Sequence, residues 1–471
     1  MRRLFVWLLL FAFAVPAFAQ HPALVIKNVT VIDMTGAQAR SGVTVVIDGA
    51  RITSINKRAG LPAGAQVVDG TGKFMIPALW DMHVHILEAE RTLPLFVVNG
   101  VLGVRDLGVH DLDSILKWRD EIAAGKRIGP RVYTAGKIVD GDPPASPDYS
   151  LVVKNAEEAR QAVRDLRARG VDTIKVYDVL SREAYFAIAD EAKKLGLTFV
   201  GHTPTSISSI EASDAGQKSI EHLGKILEDS SADQTLLESK RKAPIKEGDF
   251  FAFTTRLGTV YDTVVDTFSK QREARIFDHF RKNGTWQVPT LATKYSRTFI
   301  DQLAAADYPI ARYVVASERE WWRPDKNFFA RYRTPIYIAA QRRLYDKEVA
   351  LVGDMQRAGV KILAGTDSTS AYVVPGFSLH DELALFVTAG LTPIESLRTA
   401  TRNPAEFFGD LRNHGTIEKG KIADLILLDA NPLTDIKNTT RINAVIQNGK
   451  YLSRQILDKM LADIEADAKT H

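Results

Sequence analysis

Phe74-Met75-Ile76-Pro77-Ala78-Leu79-Trp80-Asp81-Met82-His83-Val84-His85 reads as an apolar strand that closes on two histidines. Residues i and i+2 of a strand share a face, roughly 7 Å apart at Cα, so the two imidazoles emerge side by side. One divalent ion could accept both nitrogen donors. Taken alone, the pair is a weak signal, and a surface or capping accident is the plainer reading of it. Its meaning depends on what the rest of the chain brings to the same end.

Beyond His85 the pattern alternates between strand and helix, which predicts a parallel α/β architecture. Eight strand candidates fall at 74–86, 100–107, 131–139, 172–177, 198–202, 219–223, 286–291 and 361–367, and amphipathic helical stretches such as 156–169 and 182–195 separate most of them. Eight such units predict a (β/α)8 TIM barrel, whose chemistry gathers at the C-terminal strand ends.

Those ends carry a consistent set of side chains. The first strand ends in His83 and His85, and the fourth places Lys175 on one face with Thr173 and Tyr177. The fifth ends at His202, the sixth at His222 and the eighth at Asp367. Each has a plainer reading. Lys175 could snorkel from an apolar strand, His202 and His222 could be satisfied core histidines, and Asp367 could cap a turn. Six coincidences at the termini of one barrel are harder to accept than one metal site.

Both ends of the chain are β-rich. Alternating runs from Ala23 to about Gly70, and again at 423–429 and 442–450, predict a small composite β-sandwich built from the N- and C-terminal segments. Neither patch has enough strands to stand alone. The expected organisation is a leader at 1–19, the first sandwich part at 20–72, the barrel at 73–410, the second sandwich part at 411–453 and a terminal helix at 454–471. Two long helical connections, about 224–284 and 295–345, interrupt the barrel. Their length suits lids or substrate-binding elements, and a solvated insertion or oligomer contact is the plain alternative.

Composition narrows the partners. A net charge of +4 over 471 residues gives no argument for nucleic acid or an anionic membrane surface. Arg2-Arg3, the apolar run from Leu4 to Val15 and Ala17-Phe18-Ala19 read as a cleaved signal peptide, so export to a bacterial periplasm is expected, with no membrane association afterwards. The chain has no cysteine, which confines a metal site to histidine, carboxylate and modified-lysine ligands. A homo-oligomer is left open.

The motifs Ile76-Pro77-Ala78-Leu79-Trp80-Asp81-Met82-His83-Val84-His85, Ile174-Lys175-Val176-Tyr177, Gly201-His202, Glu221-His222 and Gly365-Thr366-Asp367 together resemble the amidohydrolase superfamily, in particular its secreted imidazolonepropionase-like and Xaa-Pro dipeptidase-like metal-dependent hydrolases. Asn403-Pro404-Ala405 and the run from Gly415 to Leu425 resemble that family's return into the small β domain. The resemblance implies two divalent metal ions, zinc being the expected element. His83, His85 and Asp367 would hold one and His202 and His222 the other, with Lys175, carboxylated by CO2, between them. A free ammonium beside two dications is electrostatically untenable, whereas a carbamate offers an oxygen to each. A single-metal site with unmodified Lys175 is the alternative.

The implied chemistry is hydrolysis of C–N bonds in dipeptides or N-acyl amino acids. A water shared by the ions would have its pKa lowered towards neutrality, and Asp367 would move the proton to the leaving nitrogen. Tyr177, Arg105 and His110 are the candidates for substrate contact. Hydrolysis of cyclic amides, imidazolone-like rings or lactones is the competing enzymatic reading, and a non-catalytic, metal-stabilised binding protein the competing reading of another class. A cationic side chain at the mouth would favour peptides; a closed apolar pocket would favour rings.

Overall fold

The computed structural model describes residues 22–328 and 330–470, so the leader expected at 1–19 lies outside the described residues. Both ends of the chain meet in one mixed sheet. Its order is Lys450–Ser453, Ile442–Gln447, Leu425–Leu428, Phe74–Pro77, Leu24–Val31, Arg40–Asp48 and Arg51–Asn56, with Gln66–Asp69 also paired to Leu24–Val31. Period-2 alternation puts Ile26, Val45, Met75, Leu427 and Ile446 into a single apolar cluster on this sheet.

Two layers were expected from the terminal segments, and the strands instead hydrogen-bond edge to edge. The reason is Phe74–Pro77, which lies between the two ends, parallel to Leu24–Val31 and antiparallel to Leu425–Leu428. The strand expected over 74–86 is therefore two strands. Pro77 has no N–H with which to continue a ladder. Ala78 N donates to Asp424 O while Leu79 N donates to Gly100 O, so the chain changes sheets at Ala78.

The parallel part consists of two sheets. Leu79–Val84, Val101–Asp106 and Arg131–Thr134 form one; Ser150–Val152, Ile138–Asp140, Thr173–Val176, Thr198–Gly201, Ser219–Glu221 and Trp286–Val288 form the other. The strand expected over 131–139 breaks at Gly136, whose φ of 67° no ordinary side chain adopts readily. Its first half pairs with Val101–Asp106 and its second half with Thr173–Val176, which links the sheets on one side.

On the other side, 361–367 forms no extended ladder but bridges the gap. Leu363 N donates to Gln287 O, Met82 N to Ala364 O, Asp367 N to His83 O and His85 N to Ser368 O. Gly365 makes that approach possible, because a Cβ there would lie 2.6 Å from Val288 Cγ1 and 2.9 Å from His83 N.

Helices cover the outside of these strands. Ala156–Ala168 starts with the Asn155 side chain accepting from Glu158 N and buries Ala159, Ala162, Val163 and Leu166, the i, i+3, i+4, i+7 face. The insertions are helical as expected. Phe250–Asp266 belongs to the first and packs along Pro335–Ala358, which closes the second. The terminal helix Arg454–Thr470 buries Leu457, Ile464 and Ala468. Among the described residues no helix is long and apolar enough to cross a membrane.

Candidate metal centre

Four histidines meet at the C-terminal ends of the parallel strands. The ring centroids of His83 and His85 are 5.5 Å apart, His83 and His222 4.6 Å, and His202 and His222 4.8 Å. His222 does not reach the cluster by strand geometry. Glu221 already faces the interior, so a regular strand would send His222 outward; a left-handed turn, φ 59° at His222 and 57° at Leu223, departs from that geometry. Asp367 (φ 60°) and Thr290 (φ 51°) adopt the same region. Such conformations persist only where the surroundings enforce them, and they cluster at functional sites.

All four rings are held through the same atom. His83 Nδ1 donates to Glu221 Oε2 at 2.8 Å, His85 Nδ1 to Gly108 O at 3.0 Å and His202 Nδ1 to Asp178 Oδ1 at 2.8 Å, and His222 Nδ1 pairs with Thr290 Oγ1 at 2.7 Å. This leaves Nε2 of each ring as the remaining donor atom, the arrangement of metal-ligating histidines. His83 Nε2 is buried with no hydrogen-bond partner. The ligand atoms of His83, His85 and Asp367 lie within 4.8 Å of one another.

Lys175 is wholly buried, and its Nζ likewise has no hydrogen-bond partner. Burial lowers its pKa to about 8 despite the nearby Glu221 and Asp367, and its charge bears on His83, His85 and His222. Burial works against the Asp367 carboxylate, but the hydrogen bond from His85 and the imidazoles of His83 and His85 outweigh it and hold the group well below its usual range. Tyr177 is half-buried, with its ring centroid 4.1 Å from that of His202 and 5.8 Å from Lys175 Nζ.

Arg105 is a correction. It was expected to meet substrate, yet it lies wholly buried beneath the cluster. Its Nε donates to Met82 O, one terminal nitrogen to Ser219 Oγ and the other to Glu221 Oε1, all within 2.9 Å. Every side of its guanidinium is occupied by the fold. His110 is exposed in the loop before Leu112–Ala123.

A cavity of about 570 Å³ opens from His222 and runs between the insertions. Lys294 and Arg297, both on helix Leu291–Thr298, line it. Lys294 Nζ is paired with Glu348 Oε1 at 2.6 Å, and Arg297 Nη2 lies 3.5 Å from Asp367 Oδ2. Reading the strand ends could not find Arg297, which comes from an insertion helix. Glu221 was more legible, since Ser219 and Glu221 share the inward face of their strand and a carboxylate there needs a partner.

Residues 74–452 match the model of the amidohydrolase family. The chain belongs to this family. The amidohydrolase is 24% identical over 426 residues to ochratoxinase from Aspergillus niger, covering 77% of this chain and 72% of that one. It is also 29% identical over 102 residues to adenine deaminase from Rubrobacter xylanophilus, a match that spans 20% of this chain and 17% of the deaminase. The solved structure of a Xaa-Pro dipeptidase with bound methionine superposes with a TM-score of 0.66 at 22% identity, over 92% of this chain and all of that one. The amidohydrolase thus has a TIM-barrel-like α/β fold. It is an enzyme acting on C–N bonds, in a family that is generally metal-dependent. The residues present fit a metal centre: the ligand atoms of His83, His85 and Asp367 lie together, the His222 ring stands against His83 and the His202 ring against His222, and the buried Lys175 amine has no hydrogen-bond partner.

Proposed function

We propose that this amidohydrolase cleaves the amide bond of dipeptides or N-acyl amino acids. The observation that carries the reading is Arg297, a cation in the cavity wall that begins at His222 and reaches to 3.5 Å from Asp367. A guanidinium there suits a substrate carboxylate, which it can bind through two parallel hydrogen bonds. A neutral ring or lactone would offer it no carboxylate to bind.

His83, His85 and Asp367 would hold one ion and His202 and His222 a second, with a carboxylated Lys175 between them; zinc is the proposed element. The ions would supply Lewis acidity, lowering the pKa of water and polarising the scissile carbonyl. Asp367 takes the proton released when water attacks and delivers it to the leaving nitrogen, without which an amine leaves poorly. Arg297 fixes the carboxylate end and so sets which amide bond faces Asp367. Tyr177, beside His202, is placed to donate its hydroxyl to the substrate. Glu221, Asp178 and Thr290 keep three of the rings in register.

We also read the two parallel sheets and 361–368 as one (β/α)8 barrel spanning 79–410, with the terminal sheet as a small companion domain. The Arg2-Arg3 start and the apolar run after it support export to a periplasm. The test of function is turnover by metal-reconstituted protein of a panel of dipeptides, N-acyl amino acids, cyclic amides and lactones. Hydrolysis of the carboxylate-bearing amides, with KM raised at least about tenfold by Arg297→Met, is the expected result. Turnover of lactones or cyclic amides alone would overturn the reading.

A further inference from the structure

We infer that the substrate carries a bulky apolar acyl group, larger than an amino-acid residue, and that a second cavity beyond the first receives it. The inference rests on the amide reading above and names the acyl side of that substrate.

The first cavity is polar at its catalytic end, where Lys294, Arg297 and Glu348 stand near His222, and apolar farther out. There, Phe253, Leu257, Phe328 and Tyr337 also line a second cavity of about 360 Å³, so the two adjoin through a shared wall. Ile245, Phe250 and Tyr332 complete the outer chamber, with the rings of Phe250 and Tyr332 stacked at 4.7 Å.

At about 570 Å³ the first cavity alone falls in the range that encloses a drug-sized ligand, of about 300–1,000 Å³. A dipeptide has no use for the second. Yet the outer chamber keeps large apolar side chains in contact with water: Phe250 is 42% exposed, Phe253 42% and Phe328 50%. A concave chamber lined by aromatic side chains is the kind of surface that receives an apolar group. Its continuity with the catalytic cavity identifies the occupant as part of the substrate. A carboxylate at Arg297 and an apolar tail among the aromatic rings describe an amphiphile, an N-acyl amino acid with an extended aliphatic or aromatic acyl chain.

The experiment compares kcat/KM of the metal-loaded enzyme for N-acetyl-, N-dodecanoyl- and N-(2-naphthoyl)-phenylalanine. At least one bulky substrate should exceed the acetyl compound about tenfold or more; equal or lower values for both would overturn the proposal. Phe250→Ala, which removes a half-exposed ring of the outer chamber, should shrink that ratio through KM rather than kcat. A second arm needs no turnover: dodecanoate should bind the intact protein, and bind at least about fivefold more weakly to Phe250→Ala. Unchanged dodecanoate binding in that variant would defeat the outer chamber as the acyl site. Failure to cleave any of the three amides, by contrast, would count against hydrolysis and leave the dodecanoate arm to decide the cavity.

Discussion

Arg105 and Lys175 are two fully buried cations within one set of parallel strands, and they are treated in opposite ways. Arg105 has a partner for each guanidinium nitrogen, Met82 O, Ser219 Oγ and Glu221 Oε1. Lys175, closer to the mouth, has none. Burying an unpaired charge is costly, so a fold tolerates it only where something else completes the site. The histidines divide along the same line. Buried His380 uses both ring nitrogens, pairing with Thr439 Oγ1 and donating towards Asn99 O, whereas His83, His85, His202 and His222 each engage Nδ1. Satisfied groups such as Arg105 and His380 belong to the scaffold, whereas His83 Nε2 and Lys175 Nζ, buried without a hydrogen-bond partner, mark where a ligand goes.

The hardest test of that division is Asp367→Asn. The carboxamide can still fill the space but cannot carry a proton, so kcat should fall about 10³-fold while thermal unfolding stays close to that of the parent. Activity within a few-fold of the parent would remove Asp367 from the proton path.

A paired experiment then breaks the comparison directly. Arg105→Met leaves Glu221 without its cation and should lower unfolding free energy by about 3–5 kcal/mol, as urea titration would show. Lys175→Met removes an amine that had no partner. The metal-free variant should be at least as stable as the parent, yet metal content per chain should drop. Equal destabilisation by both substitutions would erase the distinction between the two cations.

His380 extends the test to pH. Burial lowers its pKa to about 4, from an ordinary 6.5, so the unfolded chain binds the extra proton first as pH falls. Stability should therefore be intact above about pH 6.5 and decline towards pH 4, with about 3 kcal/mol attributable to this ring. His380→Gln should flatten the slope across that window. The rest of the molecule is common to both proteins, so the difference between the two curves isolates His380.

The histidines and the lysine of the candidate metal centre were legible because their stretches read as strand ends, where period-2 geometry and an apolar run give a reader the face and the terminus together. Even so, His222 and Asp367 come to the cluster in left-handed backbone, which no alternation pattern predicts. The strand at 74–86 looked continuous because its apolar run is continuous; only pairing with both termini reveals the change of sheet at Ala78. Arg105 misled for a related reason. Its position at a strand end was readable, but whether its face held solvent or Glu221 depended on a residue 116 positions away. The cavity walls were the least legible of all, since Arg297, Phe253 and Tyr337 meet through the packing of long helical insertions rather than through any local motif.

Thr290 offers the finest probe of the comparison. Its hydroxyl is 2.7 Å from His222 Nδ1, and its own backbone is left-handed, a conformation unfavourable for a β-branched residue. The strain is sensible if the hydroxyl earns its place by orienting His222. Thr290→Ser keeps the hydroxyl and Thr290→Val replaces it with a methyl group of the same shape. Competition with a chelator should show metal affinity lowered about tenfold in the valine variant and near the parent value in the serine variant. Were both variants to bind metal like the parent, Thr290 would be scaffold alone, and engagement of Nδ1 would cease to distinguish a ligand histidine from a structural one.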